Sequence, residues 1–115
     1  MKAVSTIIFL LFGSLAQAES IVAQMATIRA ITSYSEQGVF DGDIFIQLEQ
    51  NPAACPGGYW LRHADTSGYK STVSFLLSAF HSGTAVTIMG YNDSGNIWIG
   101  SGTPTCRTDQ ITLTK

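Results

Sequence analysis

Only two cysteines stand in this chain of 115 residues, Cys55 and Cys106, and their use limits the available folds more than any other feature. Joined, they close a loop of about 50 residues, which stabilises the folded state by roughly 4 kcal/mol in the chain-entropy account. That is a large share of the ~5–15 kcal/mol that holds a small domain together. Any fold must then bring position 55 to within bridging distance of position 106, close to the end of the sequence. A free reactive thiol and a two-cysteine metal site are the alternatives. What separates them is the redox state of the compartment, since disulfides persist in oxidising ones.

The N-terminal residues speak to that compartment. Met1-Lys2 is followed by an apolar run from Ala3 to Phe12 and then by Gly13-Ser14-Leu15-Ala16-Gln17-Ala18. A charged start, a short apolar stretch and an Ala-x-Ala site have the layout of a secretory signal. The expectation is therefore a signal peptide over residues 1–18 and an exported product, periplasmic or secreted, over residues 19–115, with an N-terminal core helix as the alternative. The apolar run is shorter than the roughly 20 residues that span a hydrocarbon core, and no second such run follows, so no membrane span is expected. A product of about 100 residues is the size of one domain.

Charge removes further classes. The formal net charge is -2, and it becomes -3 when Lys2 leaves with the signal. No basic stripe is present, so neither nucleic-acid binding nor adhesion to anionic membranes has electrostatic support. The apolar content of 45% excludes a disordered chain.

Along the product, β-branched residues between Met25 and Tyr34 predict a first strand. Ile44, Ile46 and Leu48 alternate with Phe45, Gln47 and Glu49 in a second. The segment Asn51-Pro52-Ala53-Ala54-Cys55-Pro56-Gly57-Gly58 interrupts the ladder, because its prolines lack donors and its paired glycines favour a bend. Tyr59 to Arg62 resumes as a short third strand. Val73, Leu76, Leu77 and Phe80 fall at i, i+3, i+4 and i+7, the stripe of one amphipathic helix over Tyr69–His81, with Ser82-Gly83 as its stop. All four stripe residues are expected to bury against the sheet. Ala85–Tyr91, a hairpin partner opened by Ile97-Trp98-Ile99, and a last strand marked by Ile111 and Leu113 complete the order. A mainly β fold with one α-helix, a small antiparallel barrel of the oligonucleotide/oligosaccharide-binding (OB) type stapled by one disulfide, satisfies it. An open α+β sheet is the runner-up.

Reactive constellations are thin. His63 and Asp65 could belong to a small hydrolase, but no serine stands in a Gly-x-Ser-x-Gly elbow to serve as nucleophile. Asp41, Asp43 and Asp93 lie in turns too poor in ligands for calcium, and His63 and His81 lack zinc-spaced partners. Gly100-Ser101-Gly102 is not followed by a phosphate-loop lysine. Neither catalysis nor a cofactor is expected. Aromatics are more informative: Tyr34, Phe40, Tyr59, Trp60, Tyr91 and Trp98 lie in or beside predicted strands. Exposed rings beside polar groups can stack on a sugar or anchor a protein. Tyr59, Trp60 and Trp98 are the candidate binding residues, with at least one of them open to solvent.

Asn51-Pro52-Ala53-Ala54-Cys55, Gly68-Tyr69, Leu76-Leu77-Ser78-Ala79, Ser82-Gly83 and Val86-Thr87-Ile88, closed by a second cysteine before a terminal strand, resemble a family of small secreted bacterial proteins. That family is similar to the B subunit of subtilase cytotoxin and, more distantly, to other pentameric toxin B subunits. The resemblance implies a barrel with one long helix, a non-catalytic module that binds a glycan or a partner protein, and assembly into a ring. No segment matches the toxins' glycan-contacting residues position by position, so none is carried over. A periplasmic structural or accessory protein without a small ligand is the alternative function.

Overall fold

A computed structural model describes residues 20–35, 38–93, 98 and 102–115; the expected signal segment, 1–18, lies outside them. The elements are β1 (Ile21–Ala26), β2 (Ile28–Ser33), β3 (Ile44–Leu48), β4 (Tyr59–Leu61), α1 (Ser67–Ser82), β5 (Val86–Tyr91) and β6 (Cys106–Leu113). All six strands form one sheet in the order β1-β5-β6-β4-β3-β2. Its two outermost strands are consecutive in the chain and separated by Thr27 alone. Because one residue of backbone spans at most about 3.6 Å, the sheet has to curl until its edges meet. Counted as one bent strand, β1 and β2 make this the five-stranded, partly open Greek-key barrel of the OB type. The first strand thus starts at Ile21, ahead of the expected Met25.

Every pairing is antiparallel except one. β4 runs parallel to β6, placing Tyr59 beside Cys106 and Trp60 beside Arg107. The hairpin partner expected for β5 at residues 97–99 falls largely outside the described residues; Trp98 itself is not in a strand, and β5 pairs with β1 and β6. Ile97 and Ile99 are outside the described residues.

Alternation decides what points inward. In β3, Ile44, Ile46 and Leu48 are buried while Phe45 and Gln47 are half-buried; in β5, Val86, Ile88 and Gly90 are buried and alternate with Thr87, Met89 and Tyr91. The inward side chains of Ile44, Ile46, Leu48, Val86 and Ile88 join Ile28, Tyr59, Leu61, Leu76, Ala79 and both cysteines in one core. Tyr59 crosses the barrel interior, its hydroxyl donating to the Val22 carbonyl of β1 at 3.0 Å. It can do so because residue 90 is glycine: a Cβ there would meet the Arg107 carbonyl and lie 3.0 Å from the Tyr59 ring.

The helix begins at Ser67 because Thr66 caps it, its hydroxyl accepting from the Tyr69 amide at 3.2 Å. It ends at Gly83, which takes the left-handed conformation (φ 67°) that glycine adopts without a Cβ penalty. It packs against β6 and β2, closing one end of the barrel. The buried face is narrower than the sequence pattern suggested. Leu76 is 1% exposed, Ala79 is equally buried and Val73 is half-buried, whereas Leu77 is 47% and Phe80 43% exposed. Ala79, a small residue the apolar stripe did not include, is part of the buried face. Among the described residues no helix is long and apolar enough to cross a membrane.

Cys55 and Cys106 are joined, with their Cα atoms 5.6 Å apart, and both are buried; neither is a free thiol. The bridge pins the turn-rich segment before β4 to the start of β6. Asn51 organises that segment, accepting from the Leu48 amide at 2.9 Å and donating to the Pro56 carbonyl at 3.2 Å. Gly57 donates to the Pro104 carbonyl and Cys106 to the Gly58 carbonyl, each at 3.0 Å. Gly58 sits at φ 96°, and a side chain there would strike the Ile46 carbonyl.

Candidate functional site

The outward face of the sheet carries a row set by register: Thr32 opposite Phe45, Phe45 opposite Trp60, Trp60 beside Arg107, and Arg107 opposite Tyr91. Each residue on it is one position out of phase with the core residues, so the row is the barrel's outside. Arg107 lies over the Tyr91 ring, 5.4 Å from its centroid, a cation–π contact.

Trp98 reaches this face from the loop joining β5 to β6. Its backbone amide donates to the Thr105 carbonyl at 3.2 Å, and Thr105 adjoins the bridged Cys106. The disulfide corner thereby sets where the indole lies. The ring stacks on Phe45 (centroids 5.6 Å apart, planes 25° apart) and meets Tyr34 at 5.0 Å and Phe40 edge-on at 5.2 Å. Tyr34 and Phe40 come from the loop joining β2 to β3. Four rings from two loops and one strand therefore converge at a single spot. In barrels of this topology those two loops and the adjoining sheet face take oligosaccharides and oligonucleotides.

The candidate binding residues do not have the exposure expected of them. Tyr59 is 0%, Trp98 3% and Trp60 9% exposed. Tyr59 points into the barrel because it is in phase with Ile46 and Cys106, and burial pushes its phenol up to about 12. Trp60 and Trp98 are on the outer side, and Trp98 is enclosed by the rings around it. Trp98 meets the rim cluster ring to ring, and Trp60 lies opposite its member Phe45 in the strand register. Phe45 was not singled out from the sequence, although its alternation with Ile44 and Ile46 already places it on the outer side.

The indole Nε1–H of Trp98 is buried and has no hydrogen-bond partner among the described residues. An enclosed donor left unpaired is destabilising by ~1–3 kcal/mol, and such groups in native folds call for an explanation.

A second polar cluster ties the same loop to the helix. Tyr69 donates its hydroxyl to the Gly42 carbonyl at 2.6 Å, and the buried Asp43 accepts from the His63 amide at 2.9 Å. Burial first, and then the charge of Asp43, raise the Tyr69 phenol above its ordinary value. His63 meets Tyr69 edge-on, 5.1 Å between centroids. The Asp43 carboxylate thus holds the His63 backbone, and Asp65 faces Lys70 at 3.3 Å. His81 is at the far end of the helix. Among the described residues no group of three His, Cys, Asp or Glu side chains is placed to hold a metal ion.

No family profile, curated protein or solved structure matches the chain.

Proposed function

We propose that the chain is an exported, non-catalytic binding module that recognises a glycan at the rim around Trp98. The observation that carries this reading is the convergence of Tyr34, Phe40, Phe45 and Trp98 where two loops meet the outer face of β3. Rigid aromatic walls beside a polar group suit a sugar, which presents apolar ring faces and hydroxyls together. A net charge of -2 argues against the other ligand class of such barrels, because nucleic-acid affinity rests on neutralising phosphates. The buried disulfide supports an oxidising compartment. A hydrolase is disfavoured by the placement of Asp65 on Lys70 and of the Asp43 carboxylate on the His63 backbone, which leaves neither seen orienting the imidazole as a general base requires. Resemblance to toxin B subunits points the same way as an analogy of fold.

The test is a glycan array probed with oxidised, folded protein comprising residues 19–115, followed by titration of each hit. Saturable binding to a subset of glycans is expected. A blank array from protein with a native-like spectrum would sink the glycan reading.

A second reading, an accessory protein that contacts another protein, is favoured by the helix. Leu77 and Phe80, three residues apart on one side of the helix, are each more than two-fifths exposed, and neighbouring large apolar side chains at a surface mark contact sites. The ring of subunits that the toxin resemblance implies is a separate matter: light scattering during size exclusion tests it, and a monomer mass at high concentration removes the ring.

A further inference from the structure

Trp98 departs from the usual way an aromatic residue serves a sugar. Stacking needs a free ring face, and here Phe45 lies along the indole at 25° while Tyr34 and Phe40 close on it at 5.0 and 5.2 Å. With 3% of its surface exposed, Trp98 has no face to offer. What it does retain is its Nε1–H, buried and unpaired among the described residues. Indole nitrogen is a donor only, so its complement is a hydrogen-bond acceptor. Of the cations on this side of the sheet, Arg107 lies over Tyr91 and Arg29 donates to Gln47, so both are directed away from the indole and a neutral acceptor is its simpler complement. Tyr34, Phe40 and Phe45 are only half-buried, so access to the indole edge requires one of these rings to turn.

We propose that the Trp98 Nε1–H donates to a hydroxyl or ring oxygen of a neutral pyranose whose apolar face lies against Tyr34, Phe40 or Phe45. The inference rests on the glycan reading above and assigns its ligand class and donor. Trp98 then supplies the donor, and the half-buried rings around it supply the stacking. The preorganised donor gains its partner only when ligand arrives, so binding recovers the desolvation already incurred in folding.

The experiment is an amide and indole ¹H–¹⁵N NMR titration of the oxidised, folded protein with methyl glucopyranoside, galactopyranoside, mannopyranoside and N-acetylglucosaminide. The two indole signals are assigned with Trp60→Phe. At least one pyranoside is expected to move the Trp98 indole proton downfield, saturably, and Trp98→Phe is expected to weaken that binding about tenfold. Phenylalanine keeps an aromatic ring and deletes the donor, and the wild-type titration stands even if the variant folds poorly. Saturable shifts elsewhere with the Trp98 indole unmoved would overturn this inference and leave the glycan reading intact. No saturable shift with any pyranoside would overturn both.

Discussion

Replacing Leu76 and Leu77 separately by alanine probes how the helix closes the barrel, because adjacent residues of identical chemistry differ almost only in burial. Leu76 is 1% exposed and Leu77 47%. For Leu76→Ala the lost transfer energy and the cavity left in the core add to about 2–5 kcal/mol. For Leu77→Ala roughly half of the side chain is already in water and solvent fills the gap, so the loss is about 0.5–1 kcal/mol. The better helix propensity of alanine offsets both by a few tenths. With a urea slope of about 1.5 kcal/mol per molar, within the span for small domains, the unfolding midpoint falls by about 1.5–3 M for Leu76→Ala and by about 0.5 M for Leu77→Ala. The assay is urea denaturation followed by circular dichroism, with the disulfide kept oxidised so that both variants unfold to the same cross-linked chain. Equal shifts would refute the placement of the helix face. A larger shift for Leu77 would mean that its side is covered in solution.

Other outcomes follow from single contacts. Tyr59→Phe deletes the hydrogen bond to Val22 and should cost ~1–2 kcal/mol by the same denaturation assay. The Tyr59 phenol titrates near 12 in the folded protein against 10.0 ordinarily; the unfolded chain therefore loses its proton first, and the stability this phenol contributes is complete below pH 10 and lost as pH rises toward 12. Alkaline melting curves should show that decline in the parent and a smaller one in Tyr59→Phe. Gly90→Ala places a methyl group against the Arg107 carbonyl and the Tyr59 ring and should destabilise by about 3 kcal/mol or more, whereas Gly68→Ala, where a Cβ meets nothing within 4 Å, should be tolerated. Peptide mapping without reductant should recover a linked Cys55–Cys106 pair, and two alkylatable thiols in native oxidised protein would contradict it.

Patterns of period two served the sequence reading well. Ile44, Ile46 and Leu48 alternate cleanly because β3 has one face in the core and one outside, and the segment from Asn51 to Gly58 declared itself a break through its prolines and glycines. The helix was legible in position and in its glycine stop, but not in its exact face. Four apolar residues at helical spacing define a broad stripe, and the barrel mouth accepts only part of it, with Leu77 and Phe80 left outside. The break at Thr27 carried no glycine or proline to announce it, and the parallel contact of β4 with β6 is a property of topology that local pattern does not encode. Exposure of Tyr59, Trp60 and Trp98 was misjudged for a related reason. Alternation assigns a side of the sheet, and it correctly leaves Trp60 on the outer one, but it is silent about a loop folding back over that side to bring Trp98 onto Phe45.

The bend at Thr27 also dictates an order of events. Synthesis releases the N-terminal strand first, yet Ile21 must wait for Tyr91, and Ala26 for Val86. Its continuation past the bend finds β3 much sooner, with Ser33 opposite Ile44. A nascent chain can therefore complete the hairpin of β2 and β3 while the first six residues of the sheet still trail without a mate. Barrel closure is deferred until almost the whole polypeptide has emerged, and pairings so distant in sequence are slow to form. Until then β1 is an uncharged, unpaired strand bearing Ile21 and Met25, the kind of segment that captures wrong neighbours, and their capture would compete with barrel closure.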